Sequence, residues 1–456
     1  MSEHTSPLQS ALRDAAVTKE VVVSRAAARA LPDLLPRVVP GARWMLVADE
    51  TTWDIAGAAA QALLEARGID VAPALILPAR PRLKPRVAAA ATIARKLDAH
   101  GLTPVAVGSG VVNDLVKYAA LLADKPYVCL ATAASMDGYA ASGAALLDAR
   151  GFKRTLACPP PVAVLADLEV LGAAPPRMTA WGYGDLAGKT VAGADWLLAD
   201  ALGVEALAQR PYDMVQNHLR DWLGAPDRLA THEPKALGDL LSGLLVSGFA
   251  MQAHSNSRPA SGSDHQFSHL WEMENLQVDG EPAAHGACVG IGCVAMLAMY
   301  EWLMAQPDAA MAAAASQAQD GHDDAALSRE IEAAFGNEEF RAAARDEMNA
   351  KRALGSRRAR LEQLLRAWPA LRVQLKRQLI GARDMQQRLG IVGGASHPGE
   401  LGIDAAKFAA DHRRARLIRR RYTLLDLLDD LGWLDRAVAD LFAPGGFWAA
   451  RHTPKH

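Results

Sequence analysis

The first third of the chain alternates short apolar runs with helix signals, and that alternation leaves few folds open. Trp44–Ala48, Val71–Leu77, Pro104–Val107, Tyr127–Ala131 and Val162–Leu165 read as buried strands. Thr51 or Thr52 is the expected cap of a helix running to about Arg67 and stopped by Gly68. A second helix is expected from about Pro85 to Ala99, ending at Gly101, and a third over Asn113–Leu122. Strand and helix in alternation, with short links, predict a parallel sheet covered on both faces.

After Pro175-Pro176 the pattern becomes helical, with little β-branched clustering. The expected organisation is therefore an α/β dinucleotide-binding domain over 1–174 and an all-α domain over 175–456. Within the latter, Ala305–Asp323 reads as a linker or an exposed helix, and Lys351–Arg388 as a long Arg-rich helix with a solvated face. Leu240–Gln252 and Ala287–Tyr300 are uncharged but shorter than the ~20 residues that cross a bilayer, so buried helices are expected there and no membrane insertion.

The charge balance, 49 basic against 51 acidic residues, argues against a nucleic-acid partner, which needs a basic surface. A hydrophobic share of 50% supplies a large core. Four cysteines without a CxxC pair suit a reduced, cytoplasmic protein, and the polar start MSEHTSPLQS has no signal-peptide core.

Two loops follow expected strand ends. Gly108-Ser109-Gly110 precedes a helix, where glycines allow close backbone approach and the helix N-terminus favours a phosphate. The third glycine of the Rossmann fingerprint is absent and no GK[ST] follows, so a tight turn without a ligand explains it equally well. Thr132–Gly138 follows the next strand. In open α/β sheets such ends border the ligand crevice, which makes Asp137 a candidate for binding a hydroxyl, or else part of a simple turn.

In the helical half, Asp185 sits early in an expected helix, His265 and His269 share a helix face, and His285 heads an apolar helix. Carboxylate and imidazole together suit zinc and other first-row divalent ions. With 13 histidines in the chain, and without the Glu of HExxH, these spacings form no local motif.

Taken together, GSGVVNDLVKY (108–118), TAASMDGYA (132–140), WGYGDLAGKTVAGADW (181–196), SGSDHQFSHLWEM (261–273) and HGACVGIG (285–292) resemble the sn-glycerol-1-phosphate dehydrogenase family. That family lies within the superfamily of iron-type alcohol dehydrogenases and dehydroquinate synthases. HPGELGI (397–403) and RYTLLDLLDDLGWL (421–434) resemble its C-terminal helices. The resemblance implies a dehydroquinate synthase-like fold with the active site in the cleft between the two domains. It implies Asp185, His265 and His285 as ligands of one divalent ion (zinc first, iron or nickel as alternatives). Asp137 and His269 would contact substrate, Asp185 being shared between metal and substrate. Gly108, Ser109, Gly110, Val111, Val112, Thr132 and Ser135 would contact the cofactor. One departure is Ala141, where the family often has a cofactor-contacting serine.

The implied chemistry is reversible hydride transfer between NAD(P)H and dihydroxyacetone phosphate, giving sn-glycerol 1-phosphate. His269 is a reasonable proton relay, or only a hydrogen-bond donor to a substrate hydroxyl. Asp49, ending a strand with Glu50, favours a ribose 2′-OH and hence NAD over NADP. Lys189, four residues after Asp185, is the candidate for the substrate phosphate, with Arg258 second. Rival readings are the same fold acting on another phosphorylated ketone or polyol, a synthase-type cyclisation, and, ranked last, a non-catalytic binding protein. Oligomeric state is left open, a homodimer included.

Overall fold

A computed structural model describes residues 6–150, 153–320 and 323–449. Met1–Thr5 of the polar N-terminal segment, and two residues of the 305–323 stretch, lie outside the described residues. The chain forms two compact units. One comprises Met1–Leu186, Asp213–Ser257 and Ile391–Gly393; the other comprises Ala187–Tyr212, Arg258–Gly390 and Gly394–His456.

The first unit is built on a six-stranded parallel sheet. Its strands are β1 (Glu20–Ser24), β2 (Arg43–Asp49), β3 (Val71–Leu77), β4 (Leu102–Gly108), β5 (Val128–Ala131) and β6 (Ala163–Asp167). They lie in the order β1-β6-β5-β4-β2-β3, every neighbouring pair parallel. β4, β5 and β6 are buried along their whole length, which is why they read as continuous apolar runs in the sequence. Leu34, Leu35, Trp44, Leu46, Val107, Leu130 and Leu165 belong to the core on this sheet.

The chain moves outward from β2 to β3 and then returns to place β4 on the other side of β2. The carboxyl ends of β2 and β4 therefore flank a topological switch point, the usual ligand crevice of an open α/β sheet. Asp49 ends β2, and Gly108 ends β4.

Several expectations need correction. The cap after β2 is Asp49 rather than Thr51 or Thr52: its carboxylate accepts from the Thr52 N–H at 2.8 Å, and the Thr52 hydroxyl lies 3.1 Å from the Asp49 N–H. A carboxylate directly before the first turn wins because its charge complements the helix N-terminus. Helix α1 (Gly110–Leu122) starts three residues earlier than expected. Strand β1 and the hairpin of Ala144–Leu147 with Lys153–Leu156 were not anticipated, being short runs at an edge or outside the main sheet.

The rest is essentially helical. The helices that matter for the site are α2 (Pro176–Ala201), α3 (Pro234–His254), α4 (Ser263–Met273), α5 (His285–Ala305) and α6 (Ala405–Leu417). α2 begins in the first unit and runs on without a break into the second. In the second unit α4 packs on α5 and α6. α3 and α5 are each 21 residues long and apolar enough to cross a membrane, yet 78% and 89% of their most apolar windows are buried within the protein. The Ala305–Asp323 stretch contains a helix, Asp308–Gln317, anchored by buried Met311. Lys351–Arg388 falls within three helices rather than one, with breaks after Arg352 and Gln378.

Candidate functional site

Asp185 is the tenth residue of α2, not near its start, and is fully buried. Three residues on, Gly188 lets α2 press against α4: a Cβ there would stand 2.3 Å from Asp264 Oδ2 and 2.6 Å from Val289 Cγ1. Gly292 of α5 closes on the same residue, its Cβ falling 2.3 Å from the Asp264 carbonyl oxygen. Small residues on α2 and α5 thus set the spacing of three helices, and a continuous helix carries that spacing back to Asp185.

The result is a cluster. One ligand atom each from Asp185, His265 and His285 lies within 4.8 Å of the other two. Zinc bonds of about 2.0–2.1 Å place tetrahedral ligands roughly 3.3 Å apart, so small side-chain rotations suffice to grip one ion.

The groups behind the cluster fit a metal as well. His265 Nδ1 lies 2.6 Å from Asp264 Oδ2. His285 Nδ1 lies 2.8 Å from Glu272 Oε1 and 3.0 Å from Ser268 Oγ. A carboxylate on Nδ1 fixes the proton there and leaves Nε2 as the basic nitrogen, the usual support of a ligating histidine. Burial pushes the Asp264 carboxyl up to about 7, against the pull of Lys189 and of backbone N–H groups. Neither Asp264 nor Glu272 was singled out from sequence. The available signals were a carboxylate adjacent to His265 and one three residues after His269, on its face. Glu272→Gln is expected to weaken divalent-ion affinity about 10- to 100-fold. A titration against a competing chelator checks this; unchanged affinity would show that His285 needs no carboxylate behind it.

His269 stands beside the cluster, its ring centroid 6.1 Å from that of His265 and 5.9 Å from that of His285. Its Nδ1 is 3.3 Å from Glu272 Oε2. Burial, and next the charge of Arg419, lower its pKa to about 3. The imidazole is therefore neutral near pH 7, which favours the hydrogen-bonding role over that of an imidazolium acid.

Lys189 is fully buried one turn beyond Asp185, where its charge acts on the Asp264 carboxylate. Arg258 is equally buried; it donates to the Asp195 carbonyl at 2.8 Å and lies 3.3 Å from Glu205. Both candidates for the substrate phosphate are thus buried side chains. Helical spacing gives a side chain's direction but not whether a neighbour covers it.

Asp137 is tied to Asp185 directly: its backbone N–H donates to Asp185 Oδ2 at 2.9 Å. Its own Oδ2 accepts from the Ser247 hydroxyl at 3.2 Å. The loop comes this close to α2 because position 182 is glycine; a Cβ there would stand 1.9 Å from the Ala134 carbonyl oxygen. Lys117 of α1, buried and also unassigned from sequence, clamps the loop's far side. Its ammonium donates to the carbonyls of Gly138, Ala141 and Gly143 at 2.7, 2.8 and 3.1 Å.

The nucleotide-type residues gather at neighbouring strand ends: Asp49 after β2, Gly108–Val112 after β4 and Thr132–Ser135 after β5. The Thr132 N–H donates to the Gly108 carbonyl at 3.2 Å. Packing accounts for both glycines of the turn. A Cβ at Gly108 would lie 2.6 Å from Val112 Cβ, and one at Gly110 would lie 2.9 Å from Met136 Sδ. The Ser109 side chain does not cap α1, so it leaves the first-turn N–H groups to other acceptors.

Known proteins resemble this chain in sequence and in fold. The iron-containing alcohol dehydrogenase family matches residues 22–175. A glycerol-1-phosphate dehydrogenase of Halalkalibacterium halodurans is 32% identical over 268 residues, covering 56% of this chain and 64% of that protein. One from Thermofilum pendens is 34% identical over 280 residues, covering 61% of this chain and 78% of that protein. In three of the curated relatives the matched part spans 64%, 50% and 51% of their length. The crystal structure of a probable glycerol dehydrogenase from Sinorhizobium meliloti superposes with a TM-score of 0.58 at 16% identity, covering 95% of this chain and 98% of that one, a likeness of fold. With a third of the residues identical across more than three quarters of the Thermofilum protein, the chain belongs to the glycerol-1-phosphate dehydrogenase family.

Proposed function

We propose that this protein interconverts dihydroxyacetone phosphate and sn-glycerol 1-phosphate with NAD(P)H, using one divalent ion held by Asp185, His265 and His285. The observation that carries the reading is the three-residue cluster with a carboxylate behind each imidazole, in a chain whose curated relatives are named for this reaction. When bound, the ion supplies Lewis acidity at the carbonyl oxygen and the reduced nicotinamide supplies the hydride.

The chain's own residues do the rest. Asp264 and Glu272 orient the imidazoles. Asp137, held through its backbone to Asp185 and through its carboxylate to Ser247, positions a substrate hydroxyl. His269, neutral, hydrogen-bonds the substrate, and water delivers the proton. Gly108–Val112 and Thr132–Ser135 receive the cofactor. One Asp49 oxygen is already used as a helix cap, which leaves the other for the ribose. In this reading the nucleotide part covers 1–174 and the metal and substrate part 175–456. Zinc is the first choice of metal and NAD of nucleotide. The four cysteines are unpaired and buried, in keeping with a cytoplasmic protein; a homodimer is its proposed assembly.

A steady-state assay tests the proposal. After metal loading, nicotinamide absorbance should fall with dihydroxyacetone phosphate, and in reverse rise with the 1-phosphate but not the 3-phosphate enantiomer. Turnover of neither, with metal and NAD(P) bound, would point to another substrate or to a reaction without net redox change.

A further inference from the structure

One buried carboxylate ties together all three helices that bear the cluster. Asp195 of α2 is 0% exposed. Its Oδ2 accepts from the Ser263 N–H at 2.6 Å and from the Ser263 hydroxyl at 2.7 Å, at the start of α4. Its Oδ1 accepts from the Tyr300 hydroxyl of α5 at 2.7 Å. The same oxygen accepts at 3.0 Å from the N–H of Leu424, the first residue of helix α7 (Leu424–Asp430). Asp195 and its three partner residues all lie in the second unit. Gly262 lets the chain reach the carboxylate: a Cβ there would stand 2.7 Å from Asp195 Oδ2 and 2.8 Å from Ala192 Cα.

The chemistry of this contact suits fastening more than cohesion. Two of the donors are first-turn N–H groups, which have no partner within their own helix and whose partial positive charge favours an anion. Burial nonetheless raises the Asp195 pKa, against the charge of Arg258 and the donors around it. A buried charge is a weak source of stability, because desolvation offsets much of what its bonds contribute. What it supplies is direction, since four bonds to one carboxylate form together in a single arrangement of the helices.

The ligands sit on the same three helices. Asp185 precedes Asp195 by ten residues on α2, about 15 Å at 1.5 Å per residue. His265 follows Ser263 by two residues on α4. His285 is the first residue of α5, fifteen before Tyr300. Close-packed helices transmit strain, so a shift at Asp195 reappears at the cluster. We propose that Asp195 is a positioning residue for the metal site, its carboxylate holding α2, α4 and α5 in the register that brings Asp185, His265 and His285 to one ion. The inference rests on the metal site proposed above and deepens it.

The test loads the full-length protein with Co²⁺, which takes the same nitrogen and oxygen ligands and whose visible spectrum reports their geometry. Affinity is read by competition with a chelator. Asp195→Asn turns an amide N–H toward one pair of donors, and should weaken Co²⁺ binding about 10-fold, the low end for groups behind a ligand, and alter the spectrum. Tyr300→Phe removes only the tie to α5 and should shift both readings the same way by less. Leu361→Ala, a truncation of a fully buried side chain with no part in the Asp195 bonds, should lower the melting temperature at least as far as Tyr300→Phe yet keep wild-type affinity and spectrum. Wild-type affinity and spectrum in Asp195→Asn and Tyr300→Phe would overturn the proposal, and Tyr300→Phe alone decides if Asp195→Asn does not fold. Equal shifts in Leu361→Ala would also overturn it, by showing that any loss of stability loosens the site. Failure of the wild type to bind Co²⁺ would overturn the metal reading itself, and this inference with it.

Discussion

His265→Ala is expected to lose bound metal and catalytic activity together, with turnover falling by about three powers of ten or more. Lewis-acid stabilisation of a developing alkoxide contributes several kcal/mol, and each ~1.4 kcal/mol is tenfold in rate. The loss should be abrupt for a structural reason. His265 is 5% exposed and hydrogen-bonded to Asp264, so alanine leaves a buried carboxylate without its imidazole and Asp185 with a single remaining histidine. Elemental analysis of the dialysed variant, read beside its turnover, checks this. Full metal content in His265→Ala would show that the ion binds elsewhere.

Gly182→Ala is expected to damage the same site without touching a ligand. The added methyl would sit 1.9 Å from the Ala134 carbonyl oxygen, a backbone atom that cannot swing aside, and 3.2 Å from Leu244 Cδ1. Overpacking of this kind costs about 1–3 kcal/mol and sometimes more. Relief requires the 132–137 loop to move off α2, which breaks the Asp137 N–H bond to Asp185. A misplacement of about 1 Å can cost 10²-fold in rate, so turnover should fall by about that factor while the melting temperature drops by several degrees. Gly172→Ala is the matched control. Its nearest neighbour would be Leu237 Cδ1 at 3.6 Å, an ordinary contact, and both measurements should stay close to wild type. Equal behaviour of the two variants would mean that the loop does not depend on the close approach at 182.

The sheet was legible because β4, β5 and β6 are buried on both faces and so stand out as apolar runs bounded by turns. β1 escaped because its three valines look like any short edge segment until β6 pairs with them. The metal cluster was not legible from spacing. Asp185, His265 and His285 are far apart in the chain, and only the packing of α2, α4 and α5 at Gly188 and Gly292 unites them. They were named through resemblance to a family. The supports, Asp264, Glu272 and Lys117, lay inside the same sequence strings but carry no signature of their own. Lys189 shows another limit: its spacing from Asp185 is legible, but its neighbour Asp264 is one the sequence does not place.

The central claim is that Asp185, His265 and His285 hold one divalent ion. An anomalous difference map from crystals of the metal-loaded protein tests it most directly. The account predicts a single strong peak about 2.0–2.2 Å from a carboxylate oxygen of Asp185 and from one ring nitrogen of each histidine. A strong peak away from these three side chains, or none at full metal loading, would contradict it.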